Sequence, residues 1–73
     1  MNAVAPFIAE SRIGLVRRGL RGRLDRALVA RDVAALREVS AQAEGAALVS
    51  GDRELMALRF QALAIARFIE GEA

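Results

Sequence analysis

Seventy-three residues allow one domain, 1–73, and a chain of this size buries only a modest share of its surface when it folds alone. Its 55% hydrophobic content includes only 4% aromatic residues, so the apolar mass is mainly Ala, Leu, Val and Ile, which suits closely packed helices better than a sheet core. The absence of Cys and His removes disulfides, thiolate nucleophiles, imidazole bases and the usual soft metal ligands, while a formal charge of +2 conceals six Arg between positions 12 and 26 against one acid, Asp25.

In chain order, Met1-Asn2-Ala3-Val4-Ala5 lacks the basic leader of an export signal, and the apolar residues up to Ile8 give way to Glu10 and Arg12. No uninterrupted apolar span of about 18 residues follows. A soluble, cytoplasmic protein with no membrane partner is the expectation. Pro6 suits the first turn of a helix from about Pro6 to Ala30, with Asn2 or Ser11 as its cap and Ile13, Val16, Leu20, Leu24 and Ala27 as its apolar stripe. Gly14, Gly19 and Gly22 interrupt that segment, so a kink, a break or a close helix crossing is expected around Gly19 and Gly22.

Asp32 is an N-cap for a second helix through Val33, Leu36, Val39, Ala43 and Ala47 to about Val49, with a narrow, alanine-rich buried face. At Ser50-Gly51-Asp52 the chain turns again. Gly51 is suited to the left-handed conformation that ends a helix, and Asp52 or Ser50 caps the next, with Glu54 in its first turn. The third helix, from about Asp52 to Glu70, carries Leu55, Leu58, Ala62, Ile65, Ala66 and Ile69 at three-and-four spacing and a second stripe of Met56, Phe60 and Leu63. Gly71 is its expected stop. Ala27-Leu28-Val29-Ala30-Arg31-Asp32 is echoed by Ala47-Leu48-Val49-Ser50-Gly51-Asp52, read either as duplication of a helix-turn-helix unit or as two ordinary Asp caps after apolar helix ends. The fold expected is all-α: a three-helix unit, or a helical hairpin with an N-terminal helix, completed as a bundle by oligomerisation.

No enzyme is indicated. Ser11, Ser40 and Ser50 lack an imidazole partner and are read as capping or surface residues, and Glu38 and Glu44 point to different sides of their helix. No phosphate-binding Gly-rich loop, metal site or cofactor site is expected. The arginine run supports an alternative, a nucleic-acid-binding regulatory protein. Against it, Arg17 and Arg21 share one side while Arg18, Arg23 and Arg26 point elsewhere, and neither aromatic platforms nor Asn or Gln lie among them.

From Leu28 and Asp32 through Leu36 to Ser40-Ala41-Gln42-Ala43-Glu44-Gly45-Ala46-Ala47, then Gly51 and Leu55, the chain resembles the histidine phosphotransfer domains of phosphorelays. The resemblance covers about the last two thirds of the chain. It departs at both chemical positions, since Ala41 stands where that family has its phosphoacceptor His and Glu44 where a Lys often lies. The resemblance implies a degenerate member that has lost phosphotransfer and retains a docking surface for a receiver or kinase domain.

The function expected from the residues themselves is a non-enzymatic helical interaction module, an adaptor or cochaperone, that associates with itself or with another helical protein. Met56, Phe60 and Leu63 demand cover in addition to Leu58, Ile65 and Ile69, and three short helices supply little of it. The partner-binding residues are expected to be Arg17, Arg21, Met56, Phe60 and Leu63. If the chain stands alone, a fold-back of the N-terminal arm around Phe7 and Ile8 is the other way to cover Phe60.

Overall fold

The computed structural model describes residues 4–72, and side chains from residue 12 onward, as three helices: α1 (Val4–Ala30), α2 (Val33–Ser50) and α3 (Arg53–Glu72). All lie within a residue or two of the boundaries expected from periodicity and caps. Each helix has a reason in its own sequence. Asp32 has an extended backbone and its Oδ1 accepts from the Ala35 amide at 3.0 Å, so α2 starts on a capped turn. The α3 start repeats this, with Asp52 Oδ1 accepting from the Leu55 amide at 3.0 Å. Ser50 bridges the two helices: its hydroxyl donates to the Ala46 carbonyl at 2.8 Å and accepts from the Asp52 amide at 3.2 Å.

Gly51 ends α2 with φ 72°, and its amide donates to the Ala47 carbonyl at 2.7 Å. No atom lies within 4 Å of where its Cβ would stand, so a side chain there meets backbone strain and not a clash. Gly51→Val is expected to lower stability by more than about 1 kcal/mol, since left-handed backbone is disfavoured for β-branched residues. An unchanged urea midpoint would contradict that cost.

The echo in the sequence has a structural counterpart. Arg31, the only non-glycine with positive φ among the described residues (53°), occupies the place of Gly51. The Asp32 amide donates to the Ala27 carbonyl at 2.9 Å and the Arg31 amide to the Leu28 carbonyl at 3.1 Å, which closes the end of α1. Both copies of Ala-Leu-Val therefore run into a left-handed residue followed by an Asp that caps the next helix.

α2 and α3 form an antiparallel hairpin, as the ion pairs across it show: Arg37 meets Glu70 (Nη2 to Oε2, 2.5 Å) and Arg59 meets Glu44 (Nε to Oε2, 3.2 Å). Between them lie Ala43, Ala47, Ala62 and Ala66, all buried, so the two backbones approach closely along an alanine seam. Leu36, Val39, Leu55 and Leu58 fill the rest and are the largest fully enclosed side chains. Ser40, expected to cap or face solvent, is instead buried in α2 beside this seam, because it shares the inward side with Leu36 and Ala43.

α1 lies along the hairpin through Leu20, Leu24 and Ala27. It runs alongside α3 in the same direction, with Arg17 at the start of α3 and Arg31 paired to Glu72 at its end. Because Arg17 already reaches the α2–α3 turn, residues 4–16 continue past the hairpin, about 20 Å of helix at 1.5 Å per residue. The long axis of 56 Å, against 19 and 13 Å for the others, reflects this overhang. Val16, expected inside, is 43% exposed, while Ile13 of the same stripe is half-buried.

Several expectations about α1 are corrected. The helix is continuous through Gly19 and Gly22, since Leu20, Leu24 and Ala27 gain more by docking than two glycines cost. Ser11 lies within α1 and cannot cap it; Asn2 lies outside the described residues. Phe7 and Ile8 belong to the same continuous helix, so they form no arm folded over α3, and their side chains lie outside the described set. At the other end, Gly71 does not stop α3, which runs on to Glu72. Gly19 is exposed with nothing within 4 Å of an added Cβ. Gly19→Ala is expected to raise stability by about 1 kcal/mol, measured by urea denaturation; a loss would show that another molecule packs on that backbone.

Candidate interaction surface

α3 has two apolar sides. One, centred on Leu55, Leu58, Ala62 and Ala66, is buried. The other carries Ala57, Phe60, Ala64 and Phe68, all exposed, with Phe60 at 55% and Phe68 at 69%. Phe60 and Phe68 are eight residues apart, hence about 80° apart around the helix and about 12 Å along it, with Ala64 between them. This surface continues toward α2 through Met56 and Leu63, which are half-buried, Met56 packing on the core.

Arg59 forms the rim on the α2 side. Its Nε pairs with Glu44 Oε2 at 3.2 Å, its Nη1 lies 3.7 Å from the Met56 sulfur, and its guanidinium carbon sits 5.0 Å from the centroid of the Phe60 ring. Phe60 is thereby held in place while more than half of its surface stays open.

On the opposite rim stand Arg17 and Arg21 of α1. Arg17 Nη1 donates to Glu54 Oε2 at 2.6 Å, and its Nε lies 3.7 Å from Asp52 Oδ2, so this side chain ties α1 to the first turn of α3. Arg21 Nη2 donates to Gln61 Oε1 at 3.4 Å. The five residues singled out from the sequence thus border or occupy one helix: Met56, Phe60 and Leu63 on its outward and α2 sides, Arg17 and Arg21 across its α1 side. Sequence reasoning missed Phe68. The signal was there, because Phe60, Ala64 and Phe68 repeat at intervals of four, but grouping Phe60 with Met56 and Leu63 left Phe68 unassigned.

α2 presents a second, weaker face in which Ala41, Gly45, Leu48 and Val49 are exposed, the last two at 73% and 91%. Ala41 offers a methyl group to solvent, and Glu44 is engaged by Arg59.

No family model, curated protein or solved structure matches this chain.

Among the described residues no three His, Cys, Asp or Glu side chains converge as a metal site, and no helix is long and apolar enough to cross a membrane. The carboxylates that the structure does bring near other groups serve as helix caps or as partners of Arg. Asp32 and Asp52 cap, while Glu38, Glu44, Glu54, Glu70 and Glu72 each pair with an Arg.

Proposed function

We propose that the chain is a non-enzymatic helical interaction module whose docking surface is the outward side of α3. The observation that carries this reading is the exposed run of Phe60, Ala64 and Phe68 on a helix whose opposite side is already fully buried. Single exposed apolar residues are ordinary, but two phenylalanines on the outward side of one helix, with Ala64 between them and Met56 and Leu63 alongside, form a patch of the kind that a partner helix covers. Aromatic anchors of this sort carry a large share of binding energy.

The test uses two differently tagged copies expressed together in the cells of origin, with and without Phe60→Ser and Phe68→Ser. Retention of the second copy, or of one helical protein, by the parent and not by the double variant is the expected result. Identical retention by parent and variant would reject the surface.

A second reading rests on α1. Arg18 and Arg26 are exposed, and among the described residues neither pairs with a carboxylate, whereas Arg17, Arg23 and Arg31 do. This surplus favours an anionic partner, nucleic acid among them. Binding to a labelled duplex that weakens steeply between 50 and 200 mM salt, in the manner of counterion release, would support it. Docking of a receiver or kinase domain, as the phosphotransfer-domain resemblance implies, would draw on the exposed α2 face around Ala41 and Gly45 with no phosphate transferred.

A further inference from the structure

Resting on the reading of α1 as a cationic surface, we infer that its outer side lies flat on an anionic lipid bilayer, with its arginines at the level of the phosphates and Leu15 and Val29 entering the layer beneath.

Leu15, Gly22 and Val29 are spaced seven apart, so they fall within about 40° of one another around α1, on the side turned away from the docked Leu20, Leu24 and Ala27. Leu15 is 64% exposed and Val29 85%. Arg18 and Arg26 flank this line, each about 40° from Gly22, with Arg12 and Arg21 further out, and all of these arginines are exposed. The two flanking side chains lie back along the helix. Arg18 Nε donates to the Gly14 carbonyl at 3.5 Å, and Arg26 Nη1 sits 3.5 Å from where a Gly22 Cβ would stand. An apolar midline with long cations on both flanks is the pattern of a helix lying in the plane of a membrane interface, where arginine stems reach sideways to the phosphates.

The charge on this side is uncompensated. Among the described residues Arg12, Arg18, Arg21 and Arg26 have no carboxylate partner, and Asp25, the one acid between positions 12 and 30, belongs to no ion pair. A hollow of about 370 Å³ beside Gly22, lined by Arg17, Arg18, Arg21, Asp25 and Glu54, has room for a phosphate group, and Glu54 is already engaged there by Arg17.

The same features exclude other occupants. Two copies joined through this side, antiparallel about Gly22, would set Arg18 against Arg26, and a parallel pair would set each arginine against itself. A nucleic-acid duplex would meet the cations but press Leu15 and Val29 against phosphates, and α1 has no Asn or Gln for base edges. A protein partner is anchored by large side chains packed in pockets, which a line of Leu, Gly and Val does not supply. A bilayer surface accepts cations and apolar groups together without a fixed pairing geometry. The expectation of no membrane partner rests on the missing span, and a helix that lies on a surface needs none.

Sedimentation of the purified full chain with vesicles of phosphatidylcholine, alone or mixed with phosphatidylglycerol, is the test. Retention by the mixed vesicles and not by the neutral ones is expected. Each arginine near an anionic surface is worth roughly fivefold in partition, so Arg18→Gln with Arg26→Gln should weaken retention about 25-fold. Leu15→Ser with Val29→Ser should weaken it about tenfold. Asp25→Asn is expected to strengthen it, a gain that no loss of folding imitates. Failure of the mixed vesicles to retain the chain would overturn the inference. If the chain ignores vesicles but binds a labelled duplex through Arg18 and Arg26, the inference falls while the cationic surface on α1 stands; binding to neither removes both. Retention indifferent to Leu15 and Val29, or lost through Phe60→Ser with Phe68→Ser instead, would place the contact elsewhere and overturn the inference as well.

Discussion

Leu58→Ala is expected to lower the folding stability by about 2–5 kcal/mol, the range for truncating a fully enclosed leucine. Leu58 is 2% exposed and sits with Leu55 and Leu36 in the part of the core that the alanine seam does not fill. Neighbouring alanines have no long side chains with which to close the resulting cavity. A domain of 73 residues has a total stability of only about 4–11 kcal/mol, so this one substitution consumes a large part of it. Urea denaturation followed by circular dichroism measures the change. Leu48→Ala, at 73% exposure, is the matched control and is expected to stay within about 0.5 kcal/mol of the parent. Equal costs at the two sites would mean that the core is misplaced.

Phe60→Ala combined with Phe68→Ala is expected to act on association and not on the fold. Both rings are more than half exposed in the single chain, so their removal forfeits little internal packing. At an interface, truncating a buried aromatic anchor costs at least about 2 kcal/mol, roughly a 30-fold loss of affinity for each ring. Helicity should remain that of the parent while the concentration dependence of the parent's thermal midpoint, which mass action imposes on an associating protein, disappears. Ile65→Ala provides the contrast: Ile65 packs on the core, and its loss should reduce stability at every concentration alike. A double variant that unfolds as readily as Leu58→Ala would place the two phenylalanines inside the fold.

Much of the architecture was legible because local signals agreed with one another. Asp32 and Asp52 announced two helix starts, Gly51 a helix end, and the three-and-four spacing of Leu55, Leu58, Ala62 and Ala66 the buried side of α3. Where one residue type had two competing meanings, reading failed. Gly19 and Gly22 mark a weak helix, yet tertiary docking of Leu20 and Leu24 on the hairpin outweighs that weakness, a long-range effect that local propensity does not contain. Gly71 suits a stop, yet α3 runs through it to Glu72, because a glycine ends a helix only where its backbone turns left-handed, as at Gly51.

The candidate site was legible in part. Phe60 stood out as a residue that the internal core could not cover. Phe68 is harder to find, because Met56, Phe60 and Leu63 follow one diagonal of the helix surface while the exposed run of Phe60, Ala64 and Phe68 follows another. Arg17 attracted notice as part of a basic run, and only the fold shows it seated on Asp52 and Glu54. Charge counts along a chain cannot reveal which cations the fold itself neutralises.

The molar mass of the purified parent chain, followed by light scattering from low to high micromolar concentration, tests most directly whether the outward side of α3 needs a partner. A mass rising from that of one 7.8 kDa chain toward twice that value, and held down by Phe60→Ala with Phe68→Ala, is the expected result. A parent that stays at the single-chain mass throughout, and takes up no helical protein from its native cells, would contradict it.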